Sequence, residues 1–129
     1  MPESLLLDTC ALIWLVGGSR KLKRKVRDQI DEAPMVYVSA ISAWEISLKA
    51  ARSELILPMP PESWFEGVLQ AHDLVLAPLA PEVLMSANRL PWHHRDPADR
   101  FIIATAVLQR IPVVTGDKKF NNYDIRVVF

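Results

Sequence analysis

The segment Leu5-Leu6-Leu7-Asp8-Thr9 decides how the rest of the chain is interpreted. Three consecutive leucines are typical of a short strand that is buried on both faces, and the run ends on a carboxylate. In open α/β folds, ligands bind at the carboxyl ends of parallel strands. We therefore expect Asp8 to lie at the functional edge of a sheet. The alternative is a structural role, because aspartate is also a favoured N-cap for a following helix.

Outside this segment, predicted strands alternate with predicted helices. After a first strand at 4–7, the apolar runs predict strands at 35–38, 74–76, 112–115 and, at an edge, 125–129. The segments between them predict helices over 9–16, 20–31, about 39–52, 61–70, 81–89 and 97 to near 109. This alternation favours right-handed crossovers and a mainly parallel sheet between helical layers. No internal repeat or domain boundary is visible, so residues 1–129 are expected to form a single domain.

Composition narrows the class of protein. Of the 129 residues half are hydrophobic and 23% are charged, which argues against disorder. The formal net charge is zero, so a nucleic acid would have to be attracted by a local patch. The single cysteine, Cys10, excludes an internal disulfide and fits a reducing cytoplasm. Neither a signal peptide nor a membrane helix is predicted, so we expect a soluble cytoplasmic protein.

Three further acids occupy positions similar to that of Asp8, because each follows a predicted strand or lies at the start of a predicted helix. Glu45 follows the second strand, although with Ser42 it also fits a capping box. Asp99 opens a helix that is apolar nearly all round, and Asp96 alone would suffice as its N-cap. Asp117 follows the fourth strand, where the alternative is a simple Gly-Asp turn.

Taken together, these acids are expected to meet on one rim of the sheet. Crowded carboxylates repel one another and raise one another's pKa, a cost that a bound divalent cation removes. Oxygen ligands alone favour Mg²⁺ or Mn²⁺ over zinc. Such a site suits phosphodiester hydrolysis, because the ion activates a water and polarises the phosphoryl group. Thr115 is a candidate to hydrogen-bond a ligating carboxylate.

Other features have weaker interpretations. The run Arg20–Arg27 contains six cations in eight residues, and a solvated helix face and a phosphate-binding surface explain it equally well. His93 and His94 are interpreted as loop residues flanking the site or contacting substrate, because adjacent histidines rarely share one metal. Trp14 is assigned to the core or an interface rather than to base stacking.

Four segments then carry a family resemblance: 5–9, 38–46, 94–106 and 114–117. They resemble the motifs of PIN domains, and within that superfamily most closely those of VapC-type toxins of bacterial type II toxin–antitoxin systems. The resemblance covers essentially the whole chain in order. It implies an α/β/α sandwich with a central parallel sheet and the activity of a Mg²⁺-dependent endoribonuclease.

The resemblance also implies roles and partners. Asp8, Glu45, Asp99 and Asp117 would ligate the metal and position the attacking water, with Asp96 as a candidate to support them. The substrate would be RNA, and a cognate VapB-type antitoxin would wrap the toxin groove with its C-terminal segment. Such toxins typically form homodimers through helices. Some relatives carry a further acid at the position of Lys119, so the number of metal ions stays open.

Two other functions compete with this interpretation. A catalytically silent PIN-like module that binds proteins is suggested by the apolar helix at 10–16 and the tryptophans. A phosphotransfer or dehalogenase-like enzyme would use Asp8 as nucleophile. That chemistry usually requires a second acid two residues later, where this chain has Cys10.

Overall fold

A computed structural model describes residues 2–129, in which five strands form one sheet. The strands are β1 Leu5–Leu7, β2 Val36–Ser39, β3 Leu74–Ala77, β4 Val113–Val114 and β5 Val127–Val128. Their order is β3-β2-β1-β4-β5, and every neighbouring pair is parallel. The predicted α/β class and the edge position of the last strand are confirmed.

Six α-helices cover the sheet. They are α1 Thr9–Gly17, α2 Arg24–Glu32, α3 Ala40–Ala51, α4 Pro61–Ala71, α5 Pro81–Arg89 and α6 Pro97–Gln109. A short 3₁₀ helix, Lys118–Asn122, follows β4 and was not predicted. No helix within residues 2–129 combines the length and the apolar character that crossing a bilayer requires.

The alternating side chains of β1 create the two layers. Leu5 and Leu7 pack into a cluster with residues of α1, α2, α3 and α4, while Leu6 packs on the opposite face against α6 and the 3₁₀ helix. All three leucines are buried, as expected for a central strand with helices on both sides. The burial of Leu5 and Leu7 on one face and of Leu6 on the other therefore accounts for the two helical layers of the α/β/α sandwich.

The strand order also positions the functional edge. β1 lies between β2 and β4, so the chain leaves three adjacent strands at the same rim. The chain passes from β1 to β2 on one side of β1. β4, which comes later in the chain, pairs with β1 on its other side. This reversal is the topological switch point at which open α/β sheets place their ligands.

The second helix begins later than the sequence pattern suggested. α2 begins at Arg24 rather than at Arg20, because Leu22 is drawn into the core from a turn. The backbone N–H of Leu22 donates to the carbonyl of Ser19 at 3.2 Å. Residues 20–23 therefore form part of the loop that joins α1 to α2.

Candidate metal centre

Asp8 ends β1 and begins α1. Its carboxylate is buried, and Oδ1 accepts a hydrogen bond from the backbone N–H of Ala11 at 2.8 Å. Asp8 is thus the N-cap of α1. Burial raises the pKa of Asp8 to about 6, and the negative charges of Glu45 and Asp117 add to the increase, while hydrogen bonds from Thr115 and Ala11 oppose it. Capping and ligand roles are compatible, because the cap engages only one oxygen.

Glu45 lies inside α3 rather than in its first turn. The N-cap of α3 is Ser39, whose hydroxyl accepts from the backbone N–H of Ile41, so the alternative of a capping box starting at Ser42 is excluded. Instead the Thr9 hydroxyl donates to the Glu45 carboxylate and lies 2.8 Å from the Ser42 hydroxyl. These bonds tie α1 to α3. Burial raises the pKa of Glu45 and the charge of Asp96 adds to it, against the Thr9 hydrogen bond and nearby Lys49.

Asp99 occupies the first turn of α6, whose N-cap is Asp96. Asp96 Oδ1 accepts from the backbone N–H of Ala98 at 3.0 Å, so Asp99 is not needed as the cap. Burial raises the pKa of Asp99 to about 8, and so do the charges of four other carboxylates: Asp96, Glu45, Asp8 and Asp117. The four predicted acids are therefore close enough for the charges of Asp8, Glu45 and Asp117 to raise the pKa of Asp99.

Asp117 is linked to Asp99 by a histidine. His94 Nε2 lies 2.9 Å from Asp117 Oδ2 and 3.0 Å from Asp99 Oδ2. The other oxygen of Asp117 accepts from the backbone N–H of Lys119 at 2.9 Å. One potential ligand atom from each of His94, Asp99 and Asp117 lies within 4.8 Å of the others.

The hydrogen bonds of His94 define its tautomer. The backbone N–H of Asp96 donates to His94 Nδ1 at 3.2 Å, so the ring proton is on Nε2 and faces the two carboxylates. The sequence predicted His94 as a loop residue flanking the site or as a substrate contact, whereas the structure buries it against Asp99 and Asp117. His93 is exposed and makes an edge contact with Tyr123 instead. The position of His94 just before the start of α6 was the signal available in the sequence.

Arg100 anchors the loop that carries His94. Its buried guanidinium donates to four backbone carbonyls, those of Ala87, Leu90, Pro91 and His94, at 2.6–3.0 Å. Two of them belong to the carboxyl end of α5, where a positive charge is favourable. The Tyr123 hydroxyl adds a second anchor, since it accepts from the His94 backbone N–H and donates to the Pro91 carbonyl, both at 2.8 Å. Sequence reasoning missed this anchor.

Asp96 and Thr115 lie where a supporting role would place them. The Thr115 hydroxyl is buried and accepts from the backbone N–H of Asp117 at 3.0 Å, and its proximity lowers the pKa of Asp8. Asp96 orients His94 through its backbone and adds its charge to those of Glu45 and Asp99. Thr115 therefore contacts the Asp117 backbone, and Asp96 raises the pKa of Glu45 and of Asp99.

The donor set fits a hard divalent cation. Within residues 2–129, none of the four acids forms a salt bridge with a lysine or an arginine, and only His94 pairs with two of them. The acids at the rim thus have no ion-paired lysine or arginine, and burial together with the neighbouring carboxylates raises the pKa of Asp99. Carboxylate oxygens are the ligands that Mg²⁺ and Mn²⁺ prefer.

The same conclusion about the family comes from comparison with known proteins. The PIN domain family model matches residues 5–126. The chain belongs to the PIN domain family. This confirms the resemblance noted in the sequence. The chain is also 29% identical over 121 residues to Ribonuclease VapC22 of Mycobacterium tuberculosis, an alignment that covers 93% of this chain and 92% of that protein.

Solved structures show the same fold. This PIN domain resembles VapBC2 of Rickettsia felis bound to a promoter DNA fragment, with a TM-score of 0.71, 13% identity and 97% of each chain covered. It also resembles a toxin–antitoxin complex from Klebsiella pneumoniae, with a TM-score of 0.69 and 22% identity over 97% of this chain and 96% of that one. At these identities the comparisons establish the α/β/α architecture alone.

Proposed function

We propose that this protein is a Mg²⁺-dependent endoribonuclease that acts in the cytoplasm as the toxin of a toxin–antitoxin pair. The observation that carries the proposal is the placement of the acids around the switch point of the sheet. Asp8 directly follows β1, and its neighbour Thr9 donates to Glu45, while His94 contacts both Asp99 and Asp117. The likeness to a protein named as a VapC ribonuclease supports the choice of RNA as substrate. Mn²⁺ has the same ligand preference and is proposed as a substitute ion.

In this proposal the four acids would ligate the ion, and neighbouring side chains orient the acids through hydrogen bonds and close contacts. The ion, when bound, activates a water for attack on the phosphodiester and offsets charge on the phosphoryl oxygens. Thr9 positions Glu45, and Thr115 positions Asp8 and the backbone of Asp117. His94 holds Asp117 by a hydrogen bond from Nε2 to Oδ2, and the same nitrogen lies 3.0 Å from Asp99 Oδ2.

A side-chain nucleophile is not required by this arrangement. Asp8 is buried and accepts hydrogen bonds from Ala11 and Thr115, which disfavours its use as an attacking group. The Ser42 hydroxyl is engaged by Thr9. The phosphotransfer or dehalogenase-like alternative is therefore less well supported than metal-assisted hydrolysis.

An antitoxin is the proposed protein partner. Trp44, 57% exposed, borders an apolar groove between α3 and α4 with Phe65, Leu69 and Leu76. On its other side a second groove, which includes Lys49, leads to Glu45 and Asp96. A segment lying along these grooves would cover apolar surface and reach the acids. The solved relatives include toxin–antitoxin complexes.

We also propose a homodimer. Exposed apolar side chains lie on the adjacent helices α5 and α6: Leu84, Met85, Val107 and Leu108. Packing of two copies through these helices would cover this surface.

Cleavage assays test the enzyme proposal. The purified protein should cleave RNA with Mg²⁺ and stop when EDTA is added. Asp99→Asn keeps the shape of the side chain and removes its charge, and should lower kcat/KM by at least about a hundredfold. Asp124→Asn, at an exposed acid away from the rim, is the matched control. Wild-type activity of Asp99→Asn would refute the assignment, and tight partner binding without cleavage of any RNA would favour the silent binding module.

A further inference from the structure

Of the six basic side chains in the segment 20–27, only that of Arg27 makes hydrogen bonds within residues 2–129. Arg27 closes the loop between α1 and α2, since its guanidinium donates to the carbonyls of Ser19 at 2.6 Å and Leu22 at 3.2 Å. The remaining cations are all exposed: Arg20, Lys21, Lys23, Arg24 and Lys25. None of these five forms a salt bridge with any residue between 2 and 129. Their charge is therefore free to attract a polyanion, in a chain whose net charge is zero.

Two aromatic rings lie against this basic loop. Phe129 is 44% exposed as a residue, and its ring packs on Trp14 with a centroid separation of 5.8 Å. Lys23 Nζ lies 5.5 Å from the Phe129 centroid, and Lys21 Nζ lies 5.8 Å from the Trp14 centroid. We call these four residues the aromatic–basic ledge. An exposed ring beside ammonium groups is the combination with which proteins bind single-stranded nucleic acid, by base stacking and phosphate contact.

The ledge is continuous with the candidate metal centre. Gly116 directly precedes Asp117, and a Cβ on Gly116 would lie only 3.0 Å from Cζ of Phe129 and 3.2 Å from Cη2 of Trp14. The backbone of the Asp117 loop therefore packs directly on the two rings. An RNA strand that approached the four acids from the side of Gly116 would therefore contact the ledge first.

We propose that the aromatic–basic ledge binds the single-stranded part of the RNA substrate. Phe129 stacks on an unpaired base next to the scissile phosphate, while Lys21 and Lys23 contact neighbouring phosphates. Trp14, which the sequence analysis assigned to the core or an interface, supports Phe129 from behind. The inference rests on the proposed ribonuclease function. Because paired bases offer no free face for stacking, it also predicts a preference for unpaired RNA.

Binding can be measured separately from cleavage. The probe is a short fluorescein-labelled oligouridylate, titrated with the intact protein in EDTA and followed by anisotropy. Phe129→Leu removes the stacking ring and should weaken binding about tenfold. Lys21→Gln/Lys23→Gln should lower the slope of log K against log salt by about 1.4, or about 0.7 for each lost phosphate contact. Arg89→Gln/Arg110→Asn, which removes two exposed cations elsewhere, should leave the slope unchanged.

Three outcomes would overturn the proposal for the ledge. The first two are wild-type affinity of Phe129→Leu and equal losses in the ledge and control variants. A wild-type protein that does not bind the probe would overturn it as well. Parallel cleavage assays with Mg²⁺ should show a raised KM and an unchanged kcat for the ledge variants. If the wild type binds the probe through the ledge but cleaves no RNA, the ribonuclease proposal is wrong and RNA binding by the ledge is supported. If it cleaves RNA but the ledge variants bind normally, only the ledge fails.

Discussion

His94 Nε2 lies between two acids, 3.0 Å from Asp99 Oδ2 and 2.9 Å from Asp117 Oδ2. One ring nitrogen thus contacts both a residue in the first turn of α6 and a residue that follows β4. The Asp96 backbone N–H fixes the tautomer, and the Arg100 and Tyr123 anchors fix the loop. This relationship makes the geometry of the acids depend on a residue that carries no negative charge.

The first prediction concerns His94 itself. His94→Leu removes the donor while keeping a bulky side chain, and should weaken Mg²⁺ binding about tenfold because the two carboxylates lose their shared partner. His94→Gln places an amide N–H near the position of Nε2 and should restore part of the affinity. Calorimetric titration with Mg²⁺ measures both effects. His72→Leu, at an exposed histidine after α4, is the control and should bind Mg²⁺ as the wild type does. A Mg²⁺ affinity of His94→Leu equal to wild type would contradict the assigned role.

The second prediction concerns the anchor of the His94 loop. Arg100→Leu removes the donor from four buried or half-buried carbonyls and should lower the free energy of unfolding by about 3 kcal/mol. Urea denaturation measures the change. Arg89→Leu, which removes an exposed arginine nearby, should change it by less than about 0.5 kcal/mol. Similar losses for the two variants would show that Arg100 does not anchor the loop.

The third prediction is a pH dependence in the absence of metal. The folded-state pKa values of Asp8 and Asp99, about 6 and about 8, lie above the ordinary value of 3.8, so the folded state binds more protons than the unfolded state in this range. This contribution to stability is complete below about pH 4 and is lost as the pH rises through about 8. Thermal melting in EDTA should therefore show Tm decreasing between about pH 6 and pH 9, with a flatter profile for Asp99→Asn.

Adding Mg²⁺ should reverse that loss. A cation that binds the ionised carboxylates stabilises the folded state more at high pH, where protons no longer compete for them. The rise in Tm on adding Mg²⁺ should consequently be larger at pH 8 than at pH 6. A rise that is equal at both values, or a Tm in EDTA that increases over this range, would contradict the picture of crowded, buried acids.

The fourth prediction tests the packing of the Asp117 loop. Gly116→Ala places a methyl group 3.0 Å from the Phe129 ring and should lower the free energy of unfolding by about 1 kcal/mol. In a Phe129→Ala background the same change should cost less, because the nearest ring has gone. A double-mutant cycle measures this coupling. Costs that are equal in the two backgrounds would show that the ring and the loop do not touch.

Local sequence signals predicted most of the fold. The three leucines of β1 and the prolines that begin α4, α5 and α6 were sufficient to place those elements, because burial on both faces and a fixed backbone angle are local properties. The four acids were found for the same reason, since each follows a strand or opens a helix. That they share one rim was predicted from the parallel sheet, whereas their separations depend on strand order, which local patterns do not determine.

The residues that position the acids could not be read from local patterns. His94 enters the cluster only because Arg100 and Tyr123, from α6 and the chain after β4, fix the loop before it. Glu45 was open to a capping interpretation until Ser39 was seen to begin α3. The ledge depends on contacts between Trp14, Phe129 and Gly116, which are far apart in sequence.

The central claim is that four carboxylates hold one cation site at the rim of the sheet. Crystals of the protein soaked in Mn²⁺ would test it most directly through the anomalous signal of that ion. We predict a peak about 2.1 Å from carboxylate oxygens of at least two of the four acids, Asp8, Glu45, Asp99 and Asp117, and no such peak in Asp99→Asn crystals. Absence of a peak at this rim in the wild type, with the four side chains ordered and the Mn²⁺ concentration saturating, would contradict the account.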